Sequence, residues 1–143
     1  MLRRQRQQLR RRQPPKKDCP TTPSPDNPSG VFEQRSDRGY RPALVGIERK
    51  TLVHGDKTLM TEFRMRKGAV LPRHAHPHEQ TGYLVKGRIR LFIGKEEYEA
   101  QIGDSWCILG GVEHGADIVE DSVAIEVFSP VRDDYLPDGC ETA

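Results

Sequence analysis

Residues 68–87 read GAVLPRHAHPHEQTGYLVKG and carry the most informative pattern in the chain. This stretch places histidines at alternate positions and a glycine at each end. If the segment is extended, the side chains of His74 and His76 project to the same face, with their Cα atoms about 6.5–7 Å apart. Two imidazoles on one face can bind one metal ion at about 2.0–2.1 Å each. This pair therefore predicts a metal site, with a solvated polar strand edge as the alternative.

The chain around this stretch reads as short strands separated by turns. His54-Gly55-Asp56-Lys57 is a plausible hairpin loop, after which the residues at 59, 61, 63 and 65 share one pleated face. No stretch of ten or more residues after position 40 carries a helical period without an interrupting Gly or Pro. This pattern predicts an all-β sandwich or barrel. The extended segments are predicted at 43–53, 58–67, 81–86, 88–93, 97–101, 105–109 and 122–128.

The N-terminal region differs from the rest of the chain in charge and composition. Residues 1–30 contain eight Lys/Arg against two Asp/Glu, a net charge of +6, which leaves −4 for the remainder of a chain whose total is +2. The same residues hold six of the eleven prolines and almost no large apolar side chains. Such a segment cannot bury enough surface to offset its ordering entropy. We therefore predict a disordered tail at 1–35 and one domain at 36–143.

Cysteine usage and hydropathy restrict the class of protein further. The three cysteines are scattered without CxxC spacing, so neither a disulfide framework nor a thiolate zinc site is indicated, and the cytoplasm is the expected compartment. Cys107 lies in an apolar segment and is predicted to be a small buried residue. No apolar run approaches 18 residues, which excludes a membrane-spanning helix.

Two motifs in the chain resemble those of the cupin superfamily. The first covers residues 68–87, with His74 and His76 at the motif's ligand positions and Gln80 where Glu is usual. The second begins at Gly103 and contains His114, with Leu109 and Ile118 where that motif has Pro and often Asn. The resemblance implies a double-stranded β-helix, also called a jelly-roll or cupin barrel, over about residues 40–136. It also implies a metal ion in the barrel mouth, and the implied ligands are His74, His76, Gln80 and His114.

Gln80 affects the chemistry expected of this metal site. Three neutral imidazoles and one neutral amide oxygen leave a divalent ion with its charge nearly uncompensated. Such an ion is a stronger Lewis acid than one bound by Glu, and it favours anionic ligands such as carboxylates. The mixed N/O ligands suit Mn, Fe, Ni, Zn or Cu, and affinity alone does not choose among them. His78 is the alternative to Gln80 as the fourth ligand.

The C-terminal segment points to a narrower group. Residues 123–136 read VAIEVFSPVRDDYL, and together with the first motif they resemble the small KdgF-type pectin-degradation cupins. Those proteins convert 4,5-unsaturated monouronates from pectin or alginate into the linear keto form. They carry an acidic residue, a Phe and an Arg in this segment beside the metal. The matching positions are Glu126, Phe128 and Arg132, with Glu standing where the family uses Asp.

The resemblance implies a role for each of the three residues. Arg132 would bind the uronate carboxylate, Glu126 would move a proton, and Phe128 would form an apolar wall. The alternatives are that Phe128 is simply core and that Arg132 forms a surface ion pair with the neighbouring aspartates. Tyr83 is a further candidate for lining the same cavity, whereas Trp106 is predicted to pack rather than bind.

Three functions remain open on the sequence alone. They are an isomerase-like uronate-linearising enzyme, a metal-dependent cupin dioxygenase, and a non-catalytic cupin that binds a sugar or small acid. The Arg-rich tail leaves nucleic acid as a further partner, but no helix-turn-helix pattern accompanies it, which argues against a regulator. A homodimer is expected by resemblance, and an open jelly-roll edge also favours pairing.

Overall fold

The computed structural model describes residues 31–136. Residues 1–30 of the predicted tail at 1–35, together with Cys19 and Cys140, lie outside the described residues. Between 31 and 136 the chain forms strands and one short 3-10 helix, Asp133–Tyr135. The strands are β1 (Arg41–Leu44), β2 (Ile47–His54), β3 (Leu59–Met65), β4 (Val70–His74), β5 (Glu79–Lys86), β6 (Arg88–Ile93), β7 (Glu96–Gln101), β8 (Ser105–Ile108), β9 (His114–Ile118) and β10 (Ser122–Ser129).

The strands form two antiparallel sheets that enclose one core. The larger sheet has the order β1-β2-β3-β10-β5-β8, and the smaller has the order β4-β9-β6-β7. Strands distant in sequence lie side by side, as in a jelly roll. This arrangement confirms the predicted all-β double-stranded β-helix. The core between the sheets is formed by Ile47, Met65, Leu84, Ile89, Leu91, Ala100, Ala116, Ile118 and Ala124.

Alternation along the strands decides which side chains face the interior. In β3 the side chains of Leu59, Thr61 and Met65 are buried while Met60 is exposed, which confirms the predicted face. In β10 every second residue from Ser122 to Phe128 is buried. Glu126 is therefore directed inward by the period of two, among apolar neighbours.

Two details of the sequence prediction are wrong. The segment 43–53 is not one strand, because the chain turns at Val45-Gly46 and pairs Leu44 with Ile47. Gly46 has a φ of +78°, a conformation that side chains disfavour, and this allows the tight turn. Cys107 is exposed rather than buried, because it alternates to the outer face of β8 at the edge of the larger sheet.

The strand prediction also omitted β4 and β9, which contribute histidines to the site described below. β4 contains Pro72, which weakens its strand signal, and β9 has only five residues. Within the described part of the chain, no helix is long and apolar enough to cross a membrane.

Candidate metal centre

Three histidines come together where β4 and β9 pair. His74 is the last residue of β4 and His114 the first of β9, and the two are directly opposite in the antiparallel register. Their ring centroids lie 4.3 Å apart. His76 follows β4 by two residues, with its ring centroid 4.9 Å from that of His114. Each of the three can offer one ligand atom within 4.8 Å of the other two.

The loop that carries His76 is held by a backbone contact from the loop before β9. The N–H of Gly111 donates to the carbonyl oxygen of His76 at 2.8 Å. Beside it, Gly110 packs so closely that a Cβ atom there would lie 2.3 Å from the carbonyl oxygen of Pro77. The absence of a side chain at residue 110 therefore permits the approach that brings His76 towards His114.

Backbone carbonyls orient all three rings in the same way. In each histidine, Nδ1 lies 2.8–3.0 Å from a carbonyl oxygen two residues away in sequence. A carbonyl can only accept, so these contacts favour the tautomer with the proton on Nδ1. Nε2 then carries the free lone pair that binds a metal, and the carbonyl fixes the ring orientation. The three acceptors belong to Pro72, His78 and Val112.

The burial of His114 tests whether these residues fit a metal. Its side chain is 2 % exposed, and its Nε2 is buried with no hydrogen-bond partner in the described part of the chain. A buried polar atom without a partner costs free energy, and a metal ion bound to Nε2 would remove that cost. Burial also lowers the pKa of His114 and of His76, with the Arg132 charge adding to the effect at His76. Both rings therefore favour the neutral form that metals bind, and the site fits a divalent ion.

Gln80 is placed beside this cluster from β5. Its side chain is buried, and Oε1 lies 3.0 Å from Nε2 of His76. With the proton of His76 on Nδ1, this contact brings two lone pairs together, an arrangement that a shared cation would satisfy. His78 is not part of the cluster of three, although its ring centroid is 5.6 Å from that of His76. The assignment of Gln80 as the fourth ligand stays a prediction.

Glu126 supplies a buried carboxyl group next to Gln80. Its side chain is 7 % exposed, Oε1 accepts a hydrogen bond of 3.2 Å from Nε1 of Trp106, and Oε2 has no partner. Burial raises the pKa of Glu126 to about 8, against hydrogen bonds from Gln80 and Trp106 that lower it. Trp106 thus packs on the core, as predicted, and also binds a side chain of the site.

Phe128 and Arg132 also line the cavity beside the cluster. Phe128 is 1 % exposed and its ring centroid is 5.8 Å from that of His76, so it is both core and wall. The guanidinium of Arg132 lies over the Phe128 ring, 5.1 Å from its centroid. Arg132 also donates from Nε and Nη2 to the carboxylate of Asp134, at 3.1 and 2.7 Å. The ion pair that the sequence left as an alternative is therefore present at the site itself.

Tyr135 is a site residue that the sequence analysis missed. Its ring lies between two guanidinium groups, with the carbon of Arg49 at 3.9 Å and that of Arg132 at 4.0 Å from its centroid. It also packs edge-on against Phe128. Nothing in the strand pattern could reveal this, because Tyr135 lies beyond β10 in the 3-10 helix. Tyr83 was wrongly expected to line the cavity, since it points outward and is 49 % exposed.

A cavity of about 60 Å³ opens among these residues. The cavity is apolar towards the core and polar towards the mouth of the barrel. The polar and aromatic residues around it are His74, Gln80, His114, Glu126, Phe128, Arg132 and Tyr135.

The fold and site define a double-stranded β-helix with three converging histidines in its mouth. The cupin domain family matches residues 61–129. The pectin degradation protein KdgF of Dickeya dadantii (strain 3937) is 33 % identical over 93 residues, which are 64 % of this chain and 84 % of that protein. The chain therefore belongs to the cupin family and is a KdgF-like cupin.

Two solved structures superpose on this chain, one of a KdgF and one of an RmlC-like cupin. KdgF from a Halomonas species superposes with a TM-score of 0.70 and 32 % identity, covering 73 % of this chain and 99 % of that one. An RmlC-like cupin from Shewanella frigidimarina superposes with a TM-score of 0.71 and 26 % identity, covering 74 % and 96 %. The similarity therefore extends over nearly the whole length of both relatives.

Proposed function

We propose that this cupin is a metal-dependent enzyme that converts 4,5-unsaturated monouronates into their linear keto form. The proposal rests on one observation. A guanidinium group, a buried carboxyl group and two of the three clustered histidines line the same cavity. Arg132, Glu126, His74 and His114 all line it. The similarity to KdgF, whose name describes pectin degradation, supports a sugar-acid substrate.

The metal would be held by His74, His76, His114 and the amide oxygen of Gln80. A divalent ion in this set supplies Lewis acidity towards a ring or hydroxyl oxygen of the sugar. Because all four donors are neutral, the site retains net positive charge, and this suits an anionic substrate. Mn, Fe, Ni and Zn all accept such N/O ligands.

The reaction is an isomerisation that relocates one proton. The anomeric hydroxyl loses a proton and becomes the aldehyde as the bond between C1 and the ring oxygen breaks. C5 becomes a ketone, and C4 of the former double bond gains a proton. The site must therefore hold a proton near the sugar ring, which the buried carboxyl group of Glu126 can do. Its Oε2 is the atom free for this role, since Trp106 binds Oε1.

Arg132 would bind the uronate carboxylate at the mouth of the cavity. The reacting edge of the sugar would lie beside His74 and His114, and the remainder would extend towards the Tyr135 ring, which also lines the cavity. Arg132 has five N–H donors, of which Nε–H and one on Nη2 bind Asp134, so donors remain for a substrate carboxylate.

The test is the loss of unsaturated-uronate absorbance on adding the protein, measured with metal-loaded and chelated samples. We expect activity only in the metal-loaded protein, with Glu126→Gln lowering kcat at least about 100-fold. Arg132→Ala should raise KM about 10-fold or more, because a charge-assisted hydrogen bond is lost. Arg66→Ala, at the opposite end of the barrel, is the matched control and should leave both constants unchanged.

Other outcomes would contradict the proposal in distinguishable ways. If Glu126→Gln and Arg132→Ala react at the wild-type rate, the assigned roles are wrong. If the wild-type protein consumes oxygen with candidate substrates instead, it is a cupin dioxygenase. Binding of a uronate without any turnover would identify a non-catalytic sugar-acid binder.

A further inference from the structure

A row of inward-facing residues crosses four strands of the larger sheet beside the metal centre. Thr61 of β3 is opposite Glu126 of β10, Glu126 is opposite Gly82 of β5, and Gly82 is opposite Trp106 of β8. The hydroxyl of Thr61 and Oε2 of Glu126 are both buried without a hydrogen-bond partner among residues 31–136. The interior of the barrel therefore contains a row with buried polar groups that are not among the proposed metal ligands.

Gly82 allows Trp106 to reach Glu126. A Cβ atom on Gly82 would lie 2.2 Å from two atoms of the indole, including Nε1, so the ring lies directly across the glycine. This position brings Nε1 to 3.2 Å from Oε1 of Glu126, which is one strand further. Any larger residue at 82 would force the indole away from the carboxyl group. The glycine and the tryptophan thus act as one unit.

We propose that Trp106 is a positioning residue for Glu126, holding Oε1 so that Oε2 is left for the reacting group. This inference rests on the proposed function for its catalytic consequence. Trp106 itself does not line the cavity, so it acts only through Glu126. Glutamate has three side-chain torsions, and its carboxyl group needs a fixed partner to keep one orientation.

The contacts also link Trp106 to the metal centre. Gln80 and Glu126 lie on the paired strands β5 and β10 and line the same cavity, and Oε1 of Gln80 faces Nε2 of His76. A metal bound by Gln80 would therefore alter the surroundings of the indole through one intervening side chain. Trp106 is the single tryptophan of the chain, so its fluorescence reports this link without interference.

The first experiment compares Trp106→Phe with the wild-type protein. Phenylalanine keeps an aromatic ring over Gly82 but removes the N–H donor. We expect kcat to fall about 3- to 10-fold, as for a lost hydrogen bond to a neutral buried group, with KM within about twofold and metal content unchanged. Cys107→Ser, the next residue on β8 facing outward, is the matched control and should match the wild type. A purely structural role would lower the melting temperature but leave kcat and KM of the folded protein unchanged.

The second experiment does not depend on activity. Zn²⁺, which has no redox chemistry and a filled d shell, is titrated into metal-free protein while Trp106 emission is recorded. We expect a saturable change in emission with the midpoint of Zn²⁺ binding measured by calorimetry. Glu126→Ala removes the intervening side chain but no proposed ligand, and should bind Zn²⁺ without the emission change.

The outcomes separate this inference from the proposed function. Unchanged emission in wild-type protein that has bound Zn²⁺, or an equal change in Glu126→Ala, overturns the link. If Trp106→Phe has the same kcat as the wild-type protein, the positioning role is wrong. A protein that shows the emission change but never converts a uronate refutes the proposed function while the link from Gln80 to Trp106 stands.

Discussion

Replacing His114 by leucine should separate the requirements of metal binding from those of folding. His114 is 2 % exposed, and its Nε2 is buried without a partner when no metal is bound. An ordinary buried residue of this size stabilises the fold, and its loss destabilises the protein. His114 differs because one of its polar atoms is buried at a cost that the metal alone would offset. His114→Leu should therefore affect metal-free and metal-bound protein in different ways.

The magnitude for the metal-free protein follows from two contributions. Removing the unpartnered Nε2 gains about 1–3 kcal/mol of stability. Losing the ring also removes the 2.8 Å contact of Nδ1 with the carbonyl oxygen of Val112, which costs about 1 kcal/mol. The free energy of unfolding of metal-free His114→Leu should therefore rise by about 0–2 kcal/mol above that of the wild type, measured by urea unfolding.

With metal bound, the wild-type protein should be more stable than His114→Leu. Free metal at about 1,000 times its Kd stabilises the wild-type protein by about 4 kcal/mol through mass action. For a domain of this size, that corresponds to a rise in melting temperature of about 15 °C. His114→Leu at the same metal concentration should lose most of this rise, which calorimetry would measure directly.

A matched control distinguishes this behaviour from that of the surrounding core. Ile108 lines the same cavity and is 1 % exposed, but it has no polar atom to offer a metal. Ile108→Ala should cost about 2–5 kcal/mol with or without metal and keep the metal-induced rise. The reasoning is refuted if metal-free His114→Leu loses as much stability as Ile108→Ala, or if none of Zn²⁺, Ni²⁺ and Mn²⁺ raises the wild-type melting temperature.

Three further predictions concern the residues around the cluster. Phe128→Ala should reduce the free energy of unfolding by about 3–5 kcal/mol in urea, because a fully buried aromatic side chain is lost; a smaller loss would mean that the ring is not core. Gly110→Ala should weaken metal binding about tenfold or more in calorimetry, because its Cβ would displace the loop that carries His76 while every ligand stays the same. Gly55→Ala is the control and should bind metal normally, since a Cβ at residue 55 would contact nothing. Arg49→Gln should raise KM for the uronate without changing metal affinity, since it removes one of the two guanidinium groups beside the Tyr135 ring. An unchanged KM would show that this contact does not contribute to substrate binding.

The strand pattern could be predicted where it depends on local alternation. Residues 122–128 show a period of two, and this places Glu126 and Phe128 on the same inward face, as the structure does. The turn at Gly46 was missed because a short turn between two apolar segments reads as a continuous strand. Cys107 was assigned to the wrong face because its neighbours are apolar, whereas alternation at an edge strand decides its exposure.

The proximity of His74 and His76 could be predicted from the sequence, since residues two apart remain near each other in any extended chain. The sequence also placed Glu126, Phe128 and Arg132 in one segment. The motif resemblance implied that His114 joins the pair, but the reason is visible only in the tertiary structure, where the register of β4 with β9 sets His74 opposite His114. The hydrogen bond from Trp106 to Glu126 and the position of Tyr135 between Arg49 and Arg132 also depend on the tertiary structure. Alternation is a local property of the backbone, whereas strand pairing depends on the whole fold, so only the latter reveals which distant side chains meet.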